Sequence, residues 1–203
     1  SDVSTGQRLT LRLFVLARHG ESVLNVERRI NGDPGIEVPL SERGEQEAQR
    51  LGEELAHLPI DVCVHTRFGR TLQTASLALG DRDVPFEVEP DLDDIDVGEL
   101  EGQTIEDYRA WKRAHERSDA FPGGESLDAA ALRYARAFQR LAARSEHVTL
   151  VIAHEIAVRY AVNAAAGSDE LDAPTHDIRN AAPYLFDEQS LERAARRIAQ
   201  LVG

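Results

Sequence analysis

The chain has 203 residues, of which 42% are hydrophobic and only 5% aromatic, so Leu, Val, Ala and Ile must fill its core. That length suits one sizeable domain, taken here as residues 1–203. The formal net charge of −13 opposes broad nucleic-acid binding and docking on anionic membranes, while leaving room for a small basic pocket inside an acidic shell.

In chain order, "SDVSTGQRLT" (1–10) lacks the apolar core of a signal peptide. "LRLFVLA" (11–17) is a near-continuous apolar run, as a strand covered on both faces requires. Residues 41–58 predict a helix with Ser41 as N-cap, a stripe of Ala48, Leu51, Leu55 and Leu58, and Pro59 as its end. "IDVCVH" (60–65) reads as a second strand and "GRTLQTASLAL" (69–79) as a second helix. Residues 84–90 form a short strand, 104–117 and 126–143 two helices, and "VTLVIAH" (148–154) the strongest strand. A helix over 155–166, a strand over 181–187 and a helix over 191–202 complete the pattern. The single Cys63 permits no internal disulfide and is expected to be a packed core thiol. With no stretch approaching a membrane span, the expectation is a cytoplasmic protein.

This alternation predicts an α/β fold, a three-layer α/β/α sandwich around a mostly parallel sheet. Such sheets bind ligands at the carboxyl ends of their strands. The first strand ends at Arg18-His19, the second at His65-Thr66 with Arg67 and Arg70 just beyond, and the 148–154 strand at His154. Two histidines and several arginines from distant segments are thereby expected at one sheet edge.

That set suits a phosphate. Arginine offers a charged fork of N–H donors matched to phosphoryl oxygens, and a neutral imidazole can attack phosphorus to form a phosphohistidine. The acid needed at the leaving oxygen can come from the acidic stretch "PDLDDIDVGELEG" (90–102). Zinc is the competing use of the histidines, but "HE" at 154–155 does not continue to a second histidine, since position 158 is Val158. The histidines at 57, 65, 115, 147 and 176 read as surface or loop residues, with His65 near enough for a minor contact.

"LARHGESVLN" (16–25) resembles the opening Arg-His-Gly motif of the histidine phosphatase superfamily, the phosphoglycerate-mutase-like group. "PLSERGEQEAQRLG" (39–52), "HTRFGRTLQTA" (65–75), "LDDIDVGELEG" (92–102), "FPGGES" (121–126), "VIAHE" (151–155) and "RNAAPYLF" (179–186) are similar to later segments of that family, in the same order. The resemblance implies a phosphoglycerate-mutase-like fold, no metal and no organic cofactor. It implies His19 as phosphate-accepting nucleophile, Arg18 and Arg70 as clamps, and His154 as the second histidine. Ser22 and Asn25 fall where the pocket is lined, Asn25 serving either as a phosphate contact or as a helix cap.

Two positions depart from the family. The acid is usually a glutamate, and the register places Asp94 there, with Asp93 and Asp96 as local rivals; Asp96 also fits a loop-holding role. Glu155 replaces a common glycine, and Arg159, four residues on, is its expected partner. The short segment between Gly102 and Pro122 resembles the phosphatase branch more than the mutases. The expected function is hydrolysis of a small phosphomonoester, active at mildly acidic to neutral pH. The alternatives are mutase-type phosphotransfer and a non-catalytic phosphate-binding module. Tyr108 and Trp111 are placed in the core rather than on the substrate, and the oligomeric state is open between monomer and homodimer.

Overall fold

The computed structural model describes residues 11–203, so the reading of residues 1–10 as lacking a signal peptide lies outside it. Five strands, β1 (Leu13–Arg18), β2 (Val62–His65), β3 (Phe86–Val88), β4 (Val148–Ala153) and β5 (Pro183–Asp187), form one sheet in the order β3-β2-β4-β1-β5. The first four run parallel, and only β5 pairs antiparallel, against β1.

Alternate residues of the central strands enter two separate cores, because successive side chains point to opposite faces. Phe14, Leu16, Val64, Val151 and Ala153 join one core, beneath α5 (Leu127–Ala142), α6 (Glu155–Ala165) and α7 (Glu188–Val202). Val15, Ala17, Cys63, Leu150 and Ile152 join the other, beneath α2 (Glu42–Glu54) and α3 (Gly69–Leu79). Both faces are covered, which gives the three-layer sandwich and explains why these strands read as unbroken apolar runs. Cys63 is buried in the second core, where desolvation pushes its thiol up to about 12.

Some boundaries differ from the sequence expectation. Helix α2 ends at Glu54 rather than 58, because the guanidinium of Arg82 collects the carbonyls of Leu55 and Leu58. Helix α7 starts at Glu188 rather than 191, since Asp187 and Ser190 form a capping box. A short helix α1 (Val23–Glu27), capped by Ser22 and Asn25, follows the first strand where none was expected. Helix α4 (Ile105–Ala114) completes the set, and its Tyr108 and Trp111 stack on Phe121 with ring centroids 5.6 and 4.1 Å away; Trp111 packs against the core, while Tyr108 is buried there and also lines the cavity beside His19.

The loop that leaves β1 is held by backbone against backbone. A Cβ on Gly20 would lie 2.4 Å from the Gly44 carbonyl oxygen, and one on Gly44 would lie 2.0 Å from the Glu21 oxygen. Ser41 completes the junction, donating its backbone N–H to Glu21 O at 2.9 Å and accepting from Gly44 N at 3.1 Å. Gly44→Ala is therefore expected to push α2 off this loop despite the better helix propensity of alanine. The expected cost is about 1–3 kcal/mol, read as a lowered midpoint in thermal or urea denaturation. An unchanged midpoint would show that the junction yields freely.

Candidate active site

The parallel register brings the strand ends together. Arg18 of β1 pairs with Ala153 of β4, and His65 of β2 pairs with Ile152, so the next residue of each strand, His19, His154 and Thr66, lies at one edge. His19 N–H extends the ladder by donating to Ala153 O at 3.0 Å.

His19 is buried, with Nδ1 2.6 Å from Gly20 O. A carbonyl only accepts, so Nδ1 carries the proton and Nε2 keeps its lone pair. That lone pair receives the Nε–H of Arg70 at 3.1 Å. Burial first, then Arg70 and Arg18, hold the imidazole pKa well below its ordinary value, with only the Gly20 carbonyl opposing. The result is a neutral ring with one nucleophilic nitrogen beside a guanidinium.

Arg70 projects from the first turn of α3. Its Nη1 donates to Asn31 Oδ1 at 2.6 Å, and its Nη2 to Asn31 O at 3.1 Å and Asp94 Oδ2 at 3.3 Å. Its plane lies 4.6 Å from the Phe68 ring centroid. Arg18 Nη1 donates to Ile178 O at 2.9 Å and stands 3.4 Å from Glu155 Oε2, while its buried Nε has no partner. His154, fully buried at the start of α6, has Nε2 2.9 Å from the Thr66 hydroxyl. Its Nδ1 is also buried without a hydrogen bond and lies 3.7 Å from Asp94 Oδ2.

Asp94 Oδ1 accepts the Ile95 N–H at 3.0 Å, and its side chain remains 25% exposed. Burial raises the carboxyl pKa above its ordinary value, opposed first by Arg70, then by the Ile95 N–H and Arg18. Its rivals are engaged elsewhere. Asp93 accepts the backbone N–H of Arg67 at 3.0 Å and its Nε–H at 2.6 Å. Asp96 accepts Gly98 N–H at 3.0 Å and holds the turn. Arg67 is thereby occupied by Asp93 and lies outside the cavity beside His19.

That cavity, about 240 Å³, is lined by Arg18, His19, Ser22, Asn25, Arg70 and Asp94 among others. Ser22 and Asn25 have both roles open to them in the sequence: they line the cavity and cap each other. Ser22 Oγ accepts Asn25 N–H at 3.1 Å, and Asn25 Oδ1 accepts Ser22 N–H at 2.9 Å. Glu155 pairs with Arg159 at 3.4 Å, as its spacing predicts, and also with Arg18. His65 is a correction. It is buried against Thr66 O and Phe86 and does not line the cavity, because as the last residue of β2 it points to the same face as Cys63.

Two residues that support the site, Asn31 and Glu101, are not singled out by the sequence. Asn31 holds Arg70 through two acceptors. Glu101 holds Asn31, accepting from its Nδ2 at 2.8 Å and from Gly32 N–H at 2.7 Å. Asn31 sits in a turn-rich stretch without periodicity, and Glu101 in the acid-bearing loop was the one legible signal.

A model of the histidine phosphatase superfamily (branch 1) matches residues 14–200, and the chain belongs to this superfamily. It is 36% identical to 2,3-bisphosphoglycerate-dependent phosphoglycerate mutase 2 of Gloeobacter violaceus, over 63% of this chain and 62% of that protein. It is 34% identical to human 6-phosphofructo-2-kinase/fructose-2,6-bisphosphatase 4, over 88% of this chain and 39% of that protein. The chain thus spans less than two thirds of the length of these relatives. Among solved structures, Bacillus stearothermophilus YhfR superposes with a TM-score of 0.75 at 28% identity, covering 86% of this chain and 90% of the other. The alpha-ribazole phosphatase from Shigella flexneri superposes with a TM-score of 0.75 at 25% identity, covering 85% and 89%. Among the described residues, no helix is long and apolar enough to cross a membrane.

Proposed function

We propose that the protein is a phosphatase that hydrolyses small phosphomonoesters through a phosphohistidine on His19. The observation that carries this reading is the state of His19: Nδ1 tied to Gly20 O, burial and two arginines keeping the ring neutral, and an unprotonated Nε2 that accepts the Arg70 Nε–H on a residue lining the cavity. Substrate phosphate takes the N–H donors of Arg70 and Arg18. His19 Nε2 then attacks phosphorus as the bond to the ester oxygen breaks, and Asp94, protonated, gives its proton to that oxygen. Asp94, now a carboxylate, takes a proton from water as the water oxygen attacks the phosphohistidine. The P–N bond breaks, phosphate leaves, and His19 and Asp94 return to their starting forms.

Arg18, Arg70 and His154 stabilise the charge on the transferring group. In the tautomer in which Thr66 donates to Nε2 of His154, Nδ1 carries a proton for a phosphoryl oxygen. The two departures that motivate a non-catalytic module are accommodated in this arrangement. Asp94 lies within reach of Arg70 and His154, and Glu155 is neutralised by Arg18 and Arg159. Transfer to a second substrate's hydroxyl in place of water is the mutase variant, kept in view by the likeness to a mutase.

The test is release of inorganic phosphate from a panel of alkyl, aryl and sugar phosphomonoesters, with and without EDTA. Turnover that survives EDTA is expected, because the charge stabilisation comes from arginine and histidine. Transfer to an added acceptor in preference to water would favour the mutase variant, and ligand binding with no turnover of any ester would favour the binding module.

The pH profile of kcat/KM follows from the two shifts. His19 must be neutral to attack, and its pKa is lowered well below 6.5, so activity is lost only as pH falls through that depressed value. Asp94 must be protonated to donate, and its pKa is raised from 3.8, so activity is lost as pH rises through that raised value. A bell is expected, with Asp94→Asn removing the alkaline limb. In the same variant, alkyl esters are expected to slow by about 100-fold and nitrophenyl phosphate, whose leaving group needs no proton, by much less. Equal losses on both would assign Asp94 another role.

A further inference from the structure

The "FPGGES" segment (121–126) and helix α5 contribute nothing to the wall of the cavity beside His19, yet one side chain of α5 reaches the acid-bearing loop. Asp94 sits in an irregular stretch between two 3-10 turns, Pro90–Leu92 and Gly98–Leu100, where neither a strand ladder nor a helix fixes the backbone. Backbone polar groups in such a stretch must find partners elsewhere. Arg133 supplies them. Its Nη1 donates to Asp91 O at 2.9 Å and to Asp93 O at 3.0 Å, and its Nη2 to Asp94 O at 3.4 Å. One guanidinium thus gathers the carbonyls of Asp91, Asp93 and Asp94.

Arg133 is itself held. Glu125 grips it fork to fork, accepting its Nε–H on Oε2 at 3.2 Å and its Nη2–H on Oε1. The same Glu125 secures the far side of Asp94. Its Oε1 accepts Asp96 N–H at 3.1 Å, and its own N–H donates to Asp96 O at 2.9 Å. The two loops touch backbone to backbone, since a Cβ on Gly124 would lie 2.2 Å from Asp96 O. Asp94 is thereby braced on both sides by residues from another part of the chain. Arg133 does not line the cavity beside His19. The charged groups that face the Asp94 carboxyl are others: Arg70 of α3, Arg18 of β1, and His154 and Glu155 where α6 begins.

We infer that Arg133, locked by Glu125, is a positioning residue for the general acid: it fixes the backbone at Asp94 so that the carboxyl stands at the leaving oxygen. The inference rests on the phosphatase reading and on Asp94 as its acid. Proton donation works only within hydrogen-bond reach, and a shift of about 1 Å takes the acid out of it. Loss of the fork leaves Asp94 present but misplaced. The step that suffers is protonation of the leaving group rather than attack by His19.

The test compares Arg133→Met with wild type on an alkyl phosphate and on nitrophenyl phosphate. The alkyl ester is expected to lose about 30-fold in kcat, and the nitrophenyl ester, whose leaving group needs no proton, about threefold or less. In an Asp94→Asn background the same substitution should cost the alkyl ester about twofold or less, because the acid that it positions is already gone. Arg133→Lys is the milder change should the methionine variant fail to fold. It keeps the charge and the stem but not the fork, and is expected to show the same selective loss at about fivefold. Equal losses on the two esters, or full additivity with Asp94→Asn, would overturn the inference and leave the phosphatase reading intact. If wild type hydrolyses no ester, the phosphatase reading falls, and amide hydrogen exchange over residues 93–98 decides the brace. Faster exchange there in Arg133→Met, with the helices unchanged, keeps Arg133 as the residue that holds the loop, and unchanged exchange removes that role as well.

Discussion

His19→Ala is expected to reduce phosphate release by about ten-thousand-fold or more, the scale seen when a covalent nucleophile is removed. The physical reason is specific to Nε2. It is the ring nitrogen left with a lone pair once Nδ1 donates to Gly20 O, and of the two histidines lining the cavity only His19 is buried and hydrogen-bonded to Arg70. The variant should keep its fold, because the backbone bonds at this position, His19 N–H to Ala153 O and Asn180 Nδ2 to His19 O, do not involve the imidazole. The intermediate supplies a second readout. Wild-type protein quenched in alkaline denaturant during turnover of a radiolabelled ester should retain label that is lost in acid, as a phosphoramidate is, and His19→Ala should retain none. Retained label in the variant would move the nucleophile to another residue.

Arg70→Ala is expected to cost about 100- to 1,000-fold in kcat/KM, as removal of a preorganised donor facing developing charge does. The same change should move the whole pH profile upward. Arg70 lowers the pKa of His19 and also that of Asp94, so its loss raises both, and both limbs shift in the same direction. A purely structural role would lower activity without moving the limbs. Arg70→Lys keeps charge but loses the fork that reaches His19, Asn31 and Asp94 together, so it should fall between alanine and wild type. Unshifted limbs in both variants would separate Arg70 from the titration of the pair.

The strand ends and the spacing of the motifs were legible because they are properties of single segments. Near-continuous apolar runs marked β1, β2 and β4, and the rule that ligands gather at the carboxyl ends of parallel strands selected His19 and His154 and brought Arg67 and Arg70 to the same edge, where the family resemblance singled out Arg70. Ser22 and Asn25 were read as lining or capping, and they do both. Loops were less legible. Nothing periodic distinguishes Asn31, which holds Arg70, from its turn-forming neighbours.

From sequence alone came the layered α/β class, the family resemblance and the residues that end each strand, since two-residue and helical periodicities report which face of an element is buried. The tertiary structure alone decided partners. It set the tautomer of His19 through Gly20 O, engaged Asp93 with Arg67 while leaving Asp94 beside His154, and joined Glu155 to Arg18 as well as Arg159. Each of those outcomes joins side chains on different segments. Their separation in space is set by sheet order and loop path, which no local pattern encodes.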